Sequence, residues 1–406
     1  MNLSSTTNAP PIKPPAPAAA PTGPSIVLET IQSAGAAQIV SDAWQTLASE
    51  ALEPNAFYEP WMLLPAWRTM PEPNVSLHLF WRTSGRPNES RQLIGVFPVE
   101  RRRSYRKLPI STLRLRKHAL CSLCTPLLHR DHAHEALTAF LDSAAKEAGI
   151  VEMDHVHGDG PFARTLIDVL RERNALTLPI DAWNRALIVP GTNADDYVAN
   201  AVSSGTRKEL KRHRKRLGEW GRFEARTLAT DESVEPWIEH FLALEAAGWK
   251  GETQTALGCT EGQREFFATV ARSAHARGQL RMLGFFLDDR PIALKCNFLS
   301  AGRGSFAFKI AYDERYAKHS PGMLLEIDNI GLVHSEPALG WMDSCAVPKH
   351  PMIDRLWTDR RTIQHLAIAV GGIGANLGLG LLYMARALKR AWKSSSAPSP
   401  SGRGLG

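Results

Sequence analysis

A succession of strand patterns, broken by one helix pattern, constrains the second half of this 406-residue chain more than any other feature. Apolar stretches between turn residues predict three strands, at Gln279–Leu287, Pro291–Leu299 and Ser305–Ala311. Apolar residues at helical spacing predict a helix over Gly322–His334, and Gly340–Ser344 predicts a closing strand. This β-β-β-α-β order predicts a mixed, mostly antiparallel sheet flanked by helices.

The first half of the chain repeats this order more loosely. No sequence identity between the halves is evident, so the prediction is one of repeated architecture: an α/β (α+β) protein of two tandem halves. The supporting patterns are strands near Ser76–Trp81, Gln92–Glu100, Ser111–Leu115 and Ile150–Val156, a helix near His132–Ala148, and helices before each sheet at about Ala36–Ala51 and Glu232–Ala246.

Composition changes along the chain predict five segments. The ends are rich in Pro, Ala and Ser with little to bury, which is typical of disorder. The predicted segments are a disordered tail at 1–25, an N-terminal domain at 26–190, a C-terminal domain at 191–362 with a basic helix at 206–217, an apolar and basic helix at 363–393, and a second disordered tail at 394–406.

Cysteine content and the N-terminal residues bear on the compartment. The chain has five cysteines, an odd and small number that does not suggest a disulfide framework. The first 25 residues lack both a basic and an apolar region of a secretory signal. We therefore expect a cytoplasmic protein. Cys121 and Cys124 have no second pair at metal-binding spacing, and no metal site is predicted.

The net charge of +7 is concentrated in two stretches. From Arg207 to Arg222 there are eight Lys or Arg residues against Glu209 and Glu219, and a second basic stretch runs from 101 to 117. Such clusters attract phosphate groups. The alternative is a solvated helix face.

A helix start in the second half has the features of an anion site. Ser320 is placed to cap the helix, Pro321 suits the first helical position, and Gly322 lets a ligand approach the backbone. Free N–H groups and the helix dipole at such an end attract anions. The alternative is an ordinary capped helix.

This unit, with the loop before its helix, resembles the core of the GNAT acetyltransferases. The amino-acid sequence resembles one branch of these proteins more closely. This branch is the acetyltransferase-like proteins of the cellulose-biosynthesis (CelD-like) group, which are related to the FemAB peptidoglycan aminoacyltransferases. In place of the usual Arg/Gln-x-x-Gly-x-Gly/Ala loop stands His319-Ser320-Pro321-Gly322. The matching segments, within about residues 30 to 365, are FYEPWMLLPAW (57–67), LIGVFPVERRR (93–103), TRKELKRHRKRL (206–217), LEAAGWKG (244–251), FAFKIAYDERYAKHSPGMLLE (306–326) and DSCAVPKHPMIDRLWTDRR (343–361).

The resemblance implies an acyltransferase that uses acetyl-CoA or another acyl-CoA, without a metal. An amine or hydroxyl then attacks the donor directly, and the enzyme contributes positioning, a proton acceptor and hydrogen-bond donors. Residues expected to bind the donor are Lys309, Lys318, His319, Ser320, Gly322 and Met323.

Four residues are candidates for the proton acceptor, and three for acceptor binding. Asp313 and Glu314 follow the third strand, with Asp343 and His350 as competitors. Each has the alternative of an ordinary surface or loop residue. The residues expected to line the acceptor cleft are Trp249, Lys250 and Tyr312.

The C-terminal apolar run bears on membrane contact. The 20 residues Leu366–Ala385 carry no charge, and Arg386, Lys389, Arg390 and Lys393 follow. The length reaches that of a membrane span, but five glycines and Asn376 favour a packed helix or one lying on the inner membrane surface. The sequence leaves open a membrane span, a packed helix, and peripheral contact with the inner membrane through 366–393.

Three functions compete at this point. The leading one is an acyl-CoA-dependent acyltransferase acting on a small molecule or glycolipid, such as a sugar, lipid or envelope-polysaccharide precursor. The second is a FemAB-like aminoacyltransferase using charged tRNA, and no other nucleic-acid partner is expected. The basic helix has only Trp220 nearby as a stacking aromatic, which disfavours RNA. The third is a non-catalytic scaffold in polysaccharide biosynthesis.

Overall fold

The structure, a computed structural model, describes residues 25–84, 91–191, 193–253 and 256–395. For residues 249, 250 and 389–395 it describes the backbone alone. The predicted tails lie almost wholly outside the described residues.

One sheet of thirteen strands forms the centre of the molecule. The strands are β1 (Ser25–Ile31), β2 (Val75–Thr83), β3 (Gln92–Arg102), β4 (Thr112–Leu115), β5 (Leu127–Leu128), β6 (Ile150–His157), β7 (Thr177–Ile188), β8 (Phe223–Thr227), β9 (Leu280–Leu287), β10 (Arg290–Leu299), β11 (Gly304–Tyr312), β12 (Trp341–Asp343) and β13 (Asp359–Ala369).

Helices cover both faces of this sheet. They are α1 (Ala34–Ala37), α2 (Ser41–Ser49), α3 (Pro60–Thr69), α4 (Ala133–Glu147), α5 (Pro161–Glu172), α6 (Ala194–Ala201), α7 (Ser204–Leu217), α8 (Glu235–Ala247), α9 (Trp249–Glu252), α10 (Glu261–Ala276), α11 (Pro321–Ser335), α12 (Ile353–Leu356) and α13 (Gly372–Ser395), with 3₁₀ turns at Gln38–Val40, Ala56–Tyr58, Leu257–Cys259 and Glu314–His319.

The two halves have the same topology, which confirms the predicted mixed α/β fold. In the first half β2, β3 and β4 pair antiparallel, α4 follows, and β6 returns parallel to β4. In the second half β9, β10 and β11 pair antiparallel, α11 follows, and β12 returns parallel to β11. The spatial order β1-β2-β3-β4-β6-β13-β7-β12-β11-β10-β9-β8 is therefore the same from either end.

The halves exchange their last strands at the centre of the sheet. β13 of the second half pairs with β6 and β7, and β7 of the first half pairs with β12 and β13. This corrects the predicted helix at 363–393, because residues 359–369 are strand and the helix begins at Gly372. The last four residues of this strand, Leu366–Ala369, are all apolar and all buried. Among the described residues, no helix combines the length and apolarity needed to cross a membrane.

Alternation along β10 attaches one helix layer to each face of the second half. Leu294, Cys296 and Phe298 join the core formed with α8 and α10. On the other face Lys295 Nζ donates to Glu326 Oε1 of α11 at 2.7 Å, and Asn297 Nδ2 donates to Asn329 Oδ1 at 2.8 Å. Buried polar contacts of this kind fix the position of α11 on the sheet.

Candidate functional site

The parallel strands β11 and β12 separate soon after they pair. Their register runs from Gly304↔Trp341 to Phe306↔Asp343, where β12 ends, whereas β11 continues to Tyr312. A bulge interrupts β11 at the same level, since Cys296 and Asn297 of β10 pair with Lys309 and Ala307 and skip the residue between them. A bulge bends its strand and disrupts the ladder locally. The result is a gap in the sheet beside α8.

This gap opens into a cleft of about 380 Å³. The end of α8, the end of β11 and the loop after β12 supply its walls. The lining residues are Leu244, Glu245, Gly248, Ile310, Ala311, Tyr312, Glu314, His350, Pro351 and Met352. A concave site with few polar groups among apolar ones is the usual form of a ligand pocket.

A buried ion pair lies against the cleft. Glu245 Oε1 accepts from Lys309 Nζ at 3.0 Å, and its Oε2 accepts from the backbone N–H of Leu257 at 2.8 Å. The Glu245 side chain is fully buried, while Lys309 keeps 18% exposure. Lys309 therefore lies at the predicted site, but its partner Glu245 was not predicted, because no local pattern singles out one glutamate of LEAAGWKG.

His350, Glu314 and Tyr312, three of the predicted site residues, line the same cleft, and their roles stay predictions. His350 Nδ1 accepts from the backbone N–H of Ile353 at 3.3 Å, so a neutral ring carries its proton on Nε2. Glu314 lies beside Gly248, where an added Cβ would come within 3.2 Å of Oε1 of the glutamate. A larger residue at 248 would thus crowd this carboxylate.

The structure does not bring the other two acidic candidates to the cleft. Asp313 accepts from Arg315 Nε at 2.9 Å, and this hydrogen bond holds the pKa of Asp313 below its usual value, which makes it a poor proton acceptor. Asp343 is fully buried, with Arg361 Nη1 at 3.0 Å and Arg185 Nη1 at 3.5 Å. Its carboxylate therefore joins β12 to β7 and β13 through these two arginines.

The start of α11 departs from the predicted cap. Ser320 is left-handed, with φ of 51°, and its side chain makes no capping hydrogen bond. Pro321 occupies the first helical turn as predicted. Gly322 is buried, and a Cβ there would make an ordinary van der Waals contact, 3.4 Å, with the Tyr312 ring, so the packing of α11 on β11 does not by itself require a glycine. Met323, next in the turn, is half-buried.

Beside this helix start lies a cluster of basic and aromatic side chains. His319 is only 4% exposed, and neither ring nitrogen has a hydrogen-bond partner among the described residues. Burial lowers the pKa of His319, and Lys318 and His213 lower it further. The His213 ring of α7 lies 6.0 Å from His319, and Lys318 Nζ lies 5.0 Å from the centre of the Trp220 ring.

Two predicted residues remain undescribed in part. The backbone of Trp249 and Lys250 forms α9, but their side chains lie outside the described part of the structure. Their predicted contact with the acceptor stays a prediction. Within the described ranges, no group of three or more His, Cys, Asp or Glu residues is arranged to hold a metal ion.

A match to a known protein family covers most of the residues that line the cleft. Residues 204–335, from α7 to the end of α11, match the family described as Acetyltransferase (GNAT) domain. The chain contains a GNAT acetyltransferase-like domain. The matched residues include α8, β11 and the cluster of basic and aromatic side chains beside α11. The strands β12 and β13 and the first half of the chain lie outside the match. No curated protein matches the sequence.

Solved structures resemble most of the chain, beyond the GNAT-like domain. FemX matches with a TM-score of 0.54 at 12% identity, over 84% of this chain and 97% of FemX. The C-terminal DUF2156 domain of a putative lysylphosphatidylglycerol synthetase from Agrobacterium fabrum matches with a TM-score of 0.51 at 10% identity, over 91% and 99%. A conserved protein of unknown function from Bacteroides thetaiotaomicron matches with a TM-score of 0.50 at 12% identity, over 82% and 97%. At such identities the likeness is one of fold.

Proposed function

We propose that the cleft between β11 and β12 transfers an acyl group from acetyl-CoA or a longer acyl-CoA to an amine or hydroxyl. The separation of the two strands next to the β11 bulge is the observation that supports this most. Glu314 and His350 line the cavity beside this separation, and Lys309 contacts Glu245 of the cavity lining. The GNAT-like domain supplies most of that cavity.

The polar side chains of the cleft divide into a proton acceptor and a proton donor. A carboxylate accepts hydrogen bonds, so Glu314 is assigned to take the proton of the attacking amine or hydroxyl. His350 carries its proton on Nε2 when neutral, so it is assigned to donate. Glu245 holds Lys309 against the cleft wall, where its charge favours developing negative charge.

The donor supplies an activated thioester carbonyl and a thiol leaving group. The start of α11 fits its phosphates, because neither ring nitrogen of His319 has a hydrogen-bond partner in the described part of the chain and Lys318 lies beside it. The dipole at the helix start adds to this attraction. Since burial lowers the pKa of His319, its ring is neutral near pH 7 and contributes an N–H group, while Lys318 contributes the charge.

The proposed acceptor is a sugar, a lipid or another precursor of an envelope polysaccharide. Support for this class comes from the sequence resemblance to the CelD-like group, at segments such as 306–326 and 343–361. Lining the acceptor side are Tyr312, Pro351 and Met352, a mixed surface suited to a partly apolar molecule.

A FemAB-like reaction with charged tRNA is the second candidate. It is favoured by α7, which carries seven Lys or Arg residues against one Glu and packs beside the 3₁₀ turn at Glu314–His319. A basic helix beside the cleft suits a phosphate backbone. The third candidate is a scaffold that binds no donor.

Thermal unfolding of the full chain with acetyl-CoA, longer acyl-CoAs and tRNA separates the three candidates. A ligand that binds only the folded state raises Tm. We expect a rise with an acyl-CoA; a rise with tRNA alone favours the second candidate, and no rise with any donor favours the scaffold.

Release of the free thiol during transfer then tests the assigned residues. Glu314→Gln and His350→Gln should each lower kcat by about a hundredfold, the ordinary contribution of a positioned acid or base. Asp313→Asn is the matched control, because this carboxylate is held by Arg315 outside the cleft lining. If the control loses as much activity as Glu314→Gln, the assignment is wrong.

A further inference from the structure

The C-terminal helix α13 exposes a continuous apolar stripe. Spacings of four, four, three and four residues place its members on one helix face. Their exposed fractions run from 54% to 80%, although large apolar residues are usually buried. The stripe consists of Ile373, Leu377, Leu381, Met384 and Leu388.

The opposite face of α13 holds the helix on the body of the protein. Ala375 and Leu379 are buried in a cluster with Tyr105 and with residues of β6, β7 and β13. Gly378 allows close packing, because a Cβ there would overlap the Ile110 side chain. Arg386 donates to the carbonyl oxygens of Pro179 and Ile180 on β7. The stripe therefore faces away from the protein.

Basic residues flank the stripe on two sides. Residues 386–393 carry four Lys or Arg and no acidic residue. On the other side, the segment 101–107 carries five exposed basic residues: Arg101, Arg102, Arg103, Arg106 and Lys107. Tyr105 packs in the same cluster as Leu379, which places this segment beside α13. No described acidic side chain lies within ion-pair distance of Arg103, Arg106 or Lys107.

The tip of the basic segment has an unusual turn. Tyr105 and Leu108 exchange backbone hydrogen bonds, and the two residues between them, Arg106 and Lys107, have φ of 47° and 72°. A two-residue hairpin with both central residues left-handed normally contains Asn-Gly. Here two exposed cations occupy the strained positions, which is typical of a site selected for a purpose other than stability.

We propose that α13 and the segment 101–107 together dock on an anionic lipid bilayer. The stripe inserts among the acyl chains at the interface, and the basic residues contact the negatively charged headgroups. Charge complementarity favours this partner, because segment 101–107 beside the stripe exposes five basic residues, which attract anionic headgroups. The helix lies in the plane of the membrane surface.

Flotation of the full chain with vesicles tests the proposal. We expect binding to vesicles of equal parts phosphatidylcholine and phosphatidylglycerol, weaker binding in high salt, and little binding to phosphatidylcholine alone. Equal binding to both vesicles, or to neither, overturns the proposal. Light scattering of the free protein tests whether a second copy of the chain occupies the stripe instead. A dimer that dissociates when the stripe is altered means that it does.

Two variants and a control sharpen this test. Leu377→Gln with Leu381→Gln and Met384→Gln removes the stripe from exposed positions, and circular dichroism verifies that the fold is retained. Arg106→Asn with Lys107→Gly keeps a hairpin turn and should weaken binding about fivefold for each charge removed. Ile39→Gln with Ile167→Gln, at exposed sites elsewhere, should bind like the wild type. Unchanged flotation of the stripe variant contradicts the proposal.

Discussion

The ion pair between Glu245 and Lys309 permits a quantitative test of how the cleft is built. Lys309 Nζ lies 3.0 Å from Glu245 Oε1, and the two side chains are 18% and 0% exposed. The perturbations are Lys309→Met, Glu245→Gln and the double variant. The glutamine retains an oxygen that can accept from the N–H of Leu257, which Glu245 Oε2 now accepts at 2.8 Å.

Because Glu245 is more buried than Lys309, we expect the two single variants to lose different amounts of free energy of unfolding. Lys309→Met removes the ammonium that lies 3.0 Å from the fully buried Glu245 carboxylate, and removing one partner of a buried pair costs about 3 kcal/mol or more. Glu245→Gln leaves an ammonium that reaches the water of the cleft, so the loss is about 1–2 kcal/mol. The double variant leaves no unpaired charge. We expect it to lose about 2 kcal/mol less than the sum of the single variants.

Guanidinium denaturation followed by far-UV circular dichroism measures these free energies of unfolding for the four proteins. Lys208→Met on the exposed face of α7 is the control for replacing a lysine by methionine. The reasoning is refuted if the losses of the single variants add, or if Glu245→Gln is the more destabilising change.

Two further predictions concern pH and backbone strain. Burial, with a smaller contribution from Arg116, lowers the pKa of His118 to about 3. As the pH falls below about 6.5 the unfolded chain binds a proton that the folded chain does not, so stability decreases by about 2 kcal/mol from pH 7 to pH 5. Urea denaturation at both pH values should show that the free energy of unfolding of His118→Leu decreases by about 2 kcal/mol less than that of the wild type. An equal decrease in the two proteins contradicts the burial of a neutral ring. Arg106→Asn with Lys107→Gly should raise the free energy of unfolding by about 1–2 kcal/mol, because both residues are left-handed; a lower Tm in thermal unfolding would show that the turn is not strained.

Local patterns were sufficient for the strands that pair with their neighbours in sequence. The prediction Gln279–Leu287 corresponds to β9 at Leu280–Leu287, because its turn residues and apolar run are both local. The exchanged strands β7 and β13 were not predicted. Their partners come from the other half of the chain, and the apolar run at 366–369 merges in sequence with the helix that follows it.

The candidate site was predictable where residues flank the same end of parallel strands. Tyr312 ends β11, Glu314 follows it and His350 follows β12, so the topology brings the three residues to one cleft. Asp313, one residue away, turns toward Arg315 instead, which depends on side-chain geometry that sequence does not contain. The contact of Glu245 with Lys309 spans 64 positions, and no spacing rule connects them.

The exchange of strands also explains why the cleft depends on both halves of the chain. The strand β12, which precedes the loop that lines the cleft, is three residues long and pairs on its other side with β7 of the first half. Asp343 at its end contacts Arg185 of β7 and Arg361 of β13, so one buried carboxylate joins three strands from both halves. Because removing one partner from such a buried group is strongly destabilising, the separation of β11 from β12 is set by the first half as well. The GNAT-like match at 204–335 therefore contains most of the cleft residues without β12 and the loop after it, which supplies His350, Pro351 and Met352.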